Sequence, residues 1–194
     1  MPHPARKLVM LACALALAFP LATRAGDNES ANTKEVSNMA LTLTSTAFVH
    51  QGEMPMLYTC EGKNISPPLA WADVPANARS LALIADDPDA PDPAKPLRTF
   101  VHWVIYNLPA TAGSLPEAAA TLPGEARSGV NDAKRPGYTG PCPPIGRHRY
   151  FFKLYALDTV LPDLGSPTKA QLEDAMRGHI VGQTELLGTY QKQR

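Results

Sequence analysis

Residues 140–158 of the chain read GPCPPIGRHRYFFKLYALD, a proline-rich turn followed at once by a segment with the composition of a buried strand. Aromatic and β-branched residues are enriched in strands, and alternate side chains of a strand share one face. One face therefore carries His148, Tyr150 and Phe152. A core strand that begins with a histidine and a phenol predicts a polar site at one end of a sheet.

Two further segments have strong strand character, SLALIADD at 80–87 and FVHWVIYNL at 100–108. We expect these two strands and the strand at 148–157 to be neighbours in the core. By simple alternation Asp87 ends an apolar row, and His102 shares a face with Val104 and Tyr106.

Antiparallel pairing of the first two strands would bring Asp87 and His102 to the same edge of the sheet. His148 and Tyr150 join them if the third strand begins at that edge. The proline-rich loop at 87–93 restrains its carboxylates, including Asp89, although a solvated turn is the other interpretation. Each histidine alone also fits an ordinary hydrogen-bonded structural residue. Arg149, on the opposite face from His148, can brace the loop through Asp87 or Asp89.

The remaining chain indicates a mainly β protein with few helices. Residues 41–48, LTLTSTAF, alternate as a half-buried strand does, and only SPTKAQLEDAMRGH at 166–179 has clear helical spacing, with Ser166 or Thr168 as the cap. About 35 residues rich in glycine and proline connect the second and third core strands. A connection of that length is either functional or folded into turns over a site.

The first 25 residues predict a cleaved signal peptide, because a basic start is followed by a short apolar run. Residues 26–39 are polar and aperiodic and predict a disordered leader, which leaves 40–194 as a single domain. The protein is therefore expected to be periplasmic or secreted. Lys plus Arg and Asp plus Glu each number 18, and the predicted signal peptide holds three basic residues and no acid. The slightly acidic remainder without a basic block argues against nucleic-acid binding.

Cleavage would leave two cysteines, Cys60 and Cys142. An oxidising compartment favours a disulfide between them, and two free buried thiols are the alternative.

Several motifs resemble the phosphatidylethanolamine-binding protein family, in its bacterial Raf-kinase-inhibitor-like branch. These motifs follow in the order of the family and are distributed along most of residues 41–190: YTCEGKNISPPLAW at 58–71, ADDPDAP at 85–91, VHWVIYNLP at 101–109, GYTGPCPPIGRHRYFFKLYALD at 137–158 and RGHIVGQTELLGTY at 177–190.

The resemblance implies a large central antiparallel sheet, a smaller sheet on one face and a C-terminal helix. It also implies a small cavity for phosphate or a phospholipid head group, without a cofactor or a metal. Carried over by motif, the ligand-binding residues are Asp87, Asp89, His102, Gly140, Pro141, His148 and Tyr150. Because the chain ends in GTYQKQR soon after its helix, the resemblance implies no role for Tyr190.

The function expected is therefore a non-catalytic, exported anion-binding protein that can regulate a protein partner. Asp87 is expected to orient and charge an imidazole that holds the phosphate. An exported inhibitor of the protease or kinase type, or an interaction protein, is the alternative, and a metal-assisted hydrolase built on Asp87, Asp89, His102 and His148 is a weaker one. The partners are a phosphate-containing small molecule or lipid head group, an unidentified protein, and a second copy of the chain as a homodimer.

Overall fold

A computed structural model describes residues 40–193, so the predicted signal peptide and leader lie outside the described residues. The described chain is mainly β, as predicted, with two sheets and one α-helix. Its elements are β1 (Thr42–Thr44), β2 (Gly52–Glu53), β3 (Leu69–Ala72), β4 (Ser80–Ala90), β5 (Arg98–Pro109), β6 (Ser114–Leu115), β7 (Arg127–Ser128), β8 (Arg147–Leu157), α1 (Lys169–Met176) and β9 (Ile180–Gln191), with a 3₁₀ turn at Met56–Tyr58.

The large sheet has the strand order β2-β9-β8-β4-β5-β7. Its three central strands, β8, β4 and β5, are the neighbours predicted from the sequence and pair antiparallel. The apolar run of β4 is buried on both faces of the sheet, and Leu81, Leu83 and Ile84 have no exposed surface. A strand buried on both faces reads as a continuous apolar run, which explains why β4, β5 and β8 stand out in the sequence.

The two faces of the large sheet bury different partners. On one face the small sheet, β1-β3-β6, packs Leu69 and Trp71 into a core shared with Leu83 and Phe152. On the other face Leu172 and Met176 of α1 join a second core with Ile84, Val104 and Tyr106. The site described below lies on the small-sheet side.

Helix α1 begins where the sequence predicts, with Thr168 as its cap. The Thr168 hydroxyl accepts a hydrogen bond from the Gln171 N–H, and the Gln171 side chain accepts one from the Thr168 N–H, which is a complete capping box. The buried Asp86 holds the helix to the sheet, because Lys169 of α1 and Lys153 of β8 lie 2.5 and 2.9 Å from its two oxygens. No helix within residues 40–193 is long and apolar enough to cross a membrane.

The helix is followed by a twelve-residue strand, β9, that the sequence analysis did not predict. β9 pairs antiparallel with β8 along its whole length and sets Tyr190 opposite His148. Tyr190 is buried and its hydroxyl donates a hydrogen bond to Glu61. Tyr190 is not among the residues that line the cavity, so the absence of a role for it there stays a prediction.

Candidate functional site

A small cavity of about 130 Å³ opens at the edge of the large sheet where β4 ends and β5 and β8 begin. The antiparallel pairing predicted across the proline-rich loop produces this convergence, since Asp87 lies opposite Phe100. The residues that line the cavity are Asp87, Phe100, His102, Thr139, Gly140, Cys142, Pro143, Pro144 and His148. Four of the seven sequence-predicted site residues, Asp87, His102, Gly140 and His148, are among them.

His102 reaches the cavity because β5 contains a bulge. Ala85 pairs with Trp103 and the next residue, Asp86, pairs with Val101, so His102 is the extra residue. A bulge redirects the side chains that follow it in the strand. Val104 and Tyr106 face the helix, whereas the His102 ring contacts Tyr150 on the small-sheet side. The predicted shared face of His102 with Val104 and Tyr106 is therefore wrong, although its predicted proximity to Asp87 is correct.

The hydrogen bonds of His102 define which of its ring nitrogens is free. Nδ1 donates to the Thr139 carbonyl oxygen at 2.6 Å, because a carbonyl can only accept. The Thr139 N–H donates back to the His102 carbonyl at 3.0 Å. Burial lowers the pKa of His102 and favours the neutral ring. Nε2, buried and without a hydrogen-bond partner among the described residues, is then an acceptor.

His148 and Asp87 form a buried pair. His148 Nδ1 lies 2.7 Å from Asp87 Oδ2, and His148 Nε2 donates to the Ile145 carbonyl oxygen at 3.0 Å. The pair holds one proton on Nε2 and one between Nδ1 and Oδ2, so its net charge is zero wherever the shared proton sits. Asp87 orients an imidazole, as the sequence analysis expected. In this arrangement His148 has no free N–H for a ligand.

Tyr150 is not among the residues that line the cavity, but its ring lies against both histidine rings. Its ring centroid is 5.2 Å from that of His102 and 6.4 Å from that of His148. Its hydroxyl is buried and has no hydrogen-bond partner within residues 40–193. Burial, reinforced by the charge of Asp87, raises the pKa of the phenol, which therefore stays neutral and can donate.

Asp89 has a bracing role and does not line the cavity. Its carboxylate accepts hydrogen bonds from Arg149 Nη2 at 2.7 Å, Nε at 3.0 Å and the backbone N–H at 2.9 Å. These bonds lower the pKa of Asp89. Its own N–H donates to Asp87 Oδ1 at 2.8 Å. Of the two carboxylates considered for Arg149, Asp89 is the partner, and it positions Asp87 through the backbone.

The opposite wall is held by a disulfide and by close backbone contacts. Cys60 and Cys142 are bonded, with Cα atoms 5.4 Å apart, which is the pairing that the sequence favours. The Cys60 N–H donates to the Pro141 carbonyl at 3.0 Å, so Pro141 supports the wall without lining the cavity. Gly140 donates to Asn64 Oδ1 at 2.7 Å, and a Cβ on Gly140 would lie 2.3 Å from the Tyr58 carbonyl oxygen.

Sequence reasoning missed Phe100 and Thr139. Phe100 packs against the ring of His102 in a tilted arrangement, with centroids 4.8 Å apart. Thr139 holds Nδ1 of His102, and its hydroxyl accepts hydrogen bonds from Asn131 and Arg135. Thr139 acts through its backbone carbonyl, which every residue type has, so its role could not be predicted from the sequence. Phe100 precedes His102 by two positions, so strand alternation could have placed it on the same face as His102.

The residues considered for a metal site do not converge on one point. Asp89 is committed to Arg149, and both nitrogens of His148 are engaged. Within residues 40–193 no group of three His, Cys, Asp or Glu side chains is arranged to hold a metal ion.

One sequence family matches nearly all of the described chain. The family model described as phosphatidylethanolamine-binding protein matches residues 44–191. A UPF0098 protein of Methanothermobacter thermautotrophicus is 48% identical over 155 residues, which are 78% of this chain and 99% of that protein. A UPF0098 protein of Chlamydia pneumoniae is 48% identical over 150 residues, which are 77% and 98% of the two chains.

Two solved structures share the fold. A phosphatidylethanolamine-binding protein homolog, CT736 of Chlamydia trachomatis, superposes with a TM-score of 0.74 at 46% identity, covering 81% of this chain and all of that one. YbcL of E. coli, described as a new member of the mammalian PEBP family, superposes with a TM-score of 0.72 at 30% identity, covering 80% of this chain and all of that one.

Proposed function

Because the chain belongs to the phosphatidylethanolamine-binding protein family, we propose that it binds a small phosphate-containing anion, free phosphate or a phospholipid head group, in the cavity beside Asp87 and His102. The protein acts as a binder and not as a catalyst. It works outside the cytoplasm, since residues 1–25 have the pattern of a signal peptide and a disulfide fits an oxidising compartment.

The observation that carries this proposal is a pair of buried polar atoms without partners. Most buried polar groups in proteins are hydrogen-bonded, and an unpaired one costs about 1–3 kcal/mol. Nε2 of His102 and the hydroxyl of Tyr150 are both buried and unpaired among the described residues, and their rings are in contact. A ligand that accepts from the phenol and donates to the imidazole would offset both costs.

The size of the cavity favours a small group. Its volume of about 130 Å³ is well below the ~300–1,000 Å³ of pockets for drug-sized ligands. A phosphoryl group suits such a space, and a lipid would place its head group there with the acyl chains outside.

The state of the reactive side chains supports binding over hydrolysis. Cys142 is bonded to Cys60, and the Thr139 hydroxyl already accepts from Asn131 and Arg135. Both nitrogens of His148 are engaged, one by Asp87 and one by the Ile145 carbonyl, so neither is free to act as a general base on a ligand.

Binding can be tested by NMR titration of the protein with inorganic phosphate and with phosphoethanolamine. We expect saturable shifts of the His102 and His148 imidazole signals, and none of the surface residue His179, which pairs with Asp158. Replacement of Tyr150 by phenylalanine, which removes the unpaired hydroxyl and keeps the packing, should weaken binding about tenfold, the equivalent of about 1.4 kcal/mol.

The matched control for that variant is Tyr155→Phe, on the opposite face of β8, which should leave the affinity unchanged. Equal affinities of Tyr150→Phe and the wild type would remove Tyr150 from the site. Absence of any saturable shift of His102 with either ligand would contradict the proposed function itself.

A further inference from the structure

The polar atoms available to a ligand in the cavity are mostly hydrogen-bond acceptors. Nε2 of His102 has a lone pair and no proton, because the proton of the neutral ring is on Nδ1. The carboxylate of Asp87 also lines the cavity and accepts only. The hydroxyl of Tyr150 can donate once. A ligand that only accepts hydrogen bonds, as a fully deprotonated oxyanion does, therefore matches one of these groups and opposes two.

The orientation of His102 is fixed from outside the cavity. Thr139 makes two backbone hydrogen bonds with His102, one to Nδ1 and one from its own N–H to the His102 carbonyl. The Thr139 hydroxyl is held in turn by Asn131 and Arg135. Because the Thr139 carbonyl cannot donate, a shift of the proton to Nε2 would leave Nδ1 facing an acceptor. The free nitrogen therefore stays an acceptor as long as the ring is neutral.

The charges around His102 do not attract a dianion. Asp86 and Asp87 of β4 and Asp132 of the loop after β7 act on the ring as carboxylates. His148 and Tyr150 of β8 complete its surroundings, and His148 is neutralised by Asp87. The guanidinium of Arg135 contacts the Thr139 hydroxyl and not the ring.

We propose that the cavity selects phosphoryl groups that carry a proton, namely inorganic phosphate and phosphomonoesters in their singly charged forms, over sulfate and over phosphodiesters. This inference rests on the proposed function and defines the chemical class of its ligand. The P–OH of the ligand donates to Nε2 of His102, and an unprotonated oxygen accepts from the hydroxyl of Tyr150. Sites built to hydrogen-bond a polar group reject analogues that lack it, because buried groups are then left unpaired.

Four anions separate charge from protonation. Methyl phosphate and inorganic phosphate have a P–OH in the singly charged form, dimethyl phosphate has the same charge without a P–OH, and sulfate has neither the proton nor the single charge. In calorimetric titrations of the protein at pH 5.5, we expect methyl phosphate to bind at least tenfold more tightly than dimethyl phosphate or sulfate. Above the second ionisation of the monoester, near pH ~6, its affinity should fall by up to tenfold per pH unit.

A variant of His102 tests the role of the acceptor. His102→Gln replaces Nε2 by an amide that can turn either its oxygen or its NH₂ group to the ligand. We expect the preference for methyl phosphate over sulfate to fall at least threefold. His179→Gln, at the half-exposed histidine beside Asp158, is the matched control and should keep the wild-type preference. Should His102→Gln fail to fold, the wild-type series at two pH values decides alone.

The outcomes distinguish this inference from the proposed function. Sulfate or dimethyl phosphate binding as tightly as methyl phosphate would overturn the proton requirement and leave the anion site standing. An increase of sulfate affinity on acidification that parallels that of methyl phosphate would show that His102 itself becomes a donor, which also overturns it. If none of the four anions nor phosphoethanolamine binds, the proposed function fails and this inference with it.

Discussion

At the scale of single residues, the burial of His102 makes the stability of the protein depend on pH. Burial lowers the pKa of His102 in the folded state below its ordinary value of 6.5. Below that value the unfolded chain binds a proton that the folded protein does not, so acidification favours unfolding. We expect the free energy of unfolding, measured with urea in phosphate-free buffer, to fall as the pH drops from about 7 to 5.

Asp89 contributes in a different pH window. Its hydrogen bonds with Arg149 lower its pKa in the folded state, so the stability it supplies is present above its ordinary pKa of 3.8 and is lost as the pH falls further. The comparison of wild type with His102→Gln therefore separates the two groups. A slope between pH 7 and 5 that survives in His102→Gln would assign it to a group other than His102.

At the scale of elements, Gly140 in the loop before β8 lies directly against the 3₁₀ turn Met56–Tyr58 and the residues that follow it. A Cβ would lie 2.3 Å from the Tyr58 carbonyl and 2.8 Å from Asn64 Oδ1. Gly140→Ala should therefore displace this wall, destabilise the protein by about 1–3 kcal/mol and weaken phosphate binding. Urea denaturation and the phosphate titration measure both effects.

Gly113→Ala is the control for that substitution. Gly113 has a positive φ of 70° and no atom near its Cβ position, so alanine there should cost about 1 kcal/mol through backbone strain alone. Phosphate affinity should stay at the wild-type value in Gly113→Ala. A Gly140→Ala protein with unchanged affinity would show that the wall tolerates displacement.

The limits of sequence reasoning also appear at the scale of elements. Strands β4, β5 and β8 were predicted with ends within three residues of those observed, because long apolar runs define them. The bulge at His102 was not predictable, since a single extra residue changes the face of a side chain without changing composition. Strand β9 was missed because Gly182 and Gly188 interrupt its apolar pattern. A Cβ on Gly188 would lie 2.6 Å from Cγ of Met54. The side chain of Met54 therefore occupies the space that a side chain at position 188 would need.

At the scale of the whole molecule, the Cys60–Cys142 bond joins segments 82 residues apart in sequence. A disulfide that closes so long a loop restricts the unfolded chain. Removal of the disulfide should therefore destabilise the protein by about 2–4 kcal/mol. The double variant Cys60→Ser, Cys142→Ser should therefore unfold at lower urea than the oxidised wild type. Reduced wild type, measured with a dithiol present, should have the same free energy of unfolding as the double variant. A large difference between the two would show that the serine substitutions themselves alter the stability.

The architecture of the molecule was predicted more fully than its chemistry. The family motifs, from YTCEG to RGHIVG, fall on strands of both sheets and flank the helix, and they imply the arrangement of these elements. The free nitrogen of His102 and the neutral pairing of His148 with Asp87 depend on single backbone carbonyls, those of Thr139 and Ile145. Such contacts are made by any residue type, so the sequence identifies which side chains meet but not which of their atoms remain available.

The position of the disulfide also makes the cavity sensitive to reduction of the Cys60–Cys142 bond. Both cysteines are exposed, and Cys142 lines the cavity. Exposed disulfides are the more readily reduced ones, so an external dithiol should open the wall and weaken phosphate binding. Thermodynamic reciprocity then requires bound phosphate to make the bond harder to reduce. A shift of its midpoint potential to more negative values with phosphate would make the cavity a site whose occupancy follows the redox poise of its compartment.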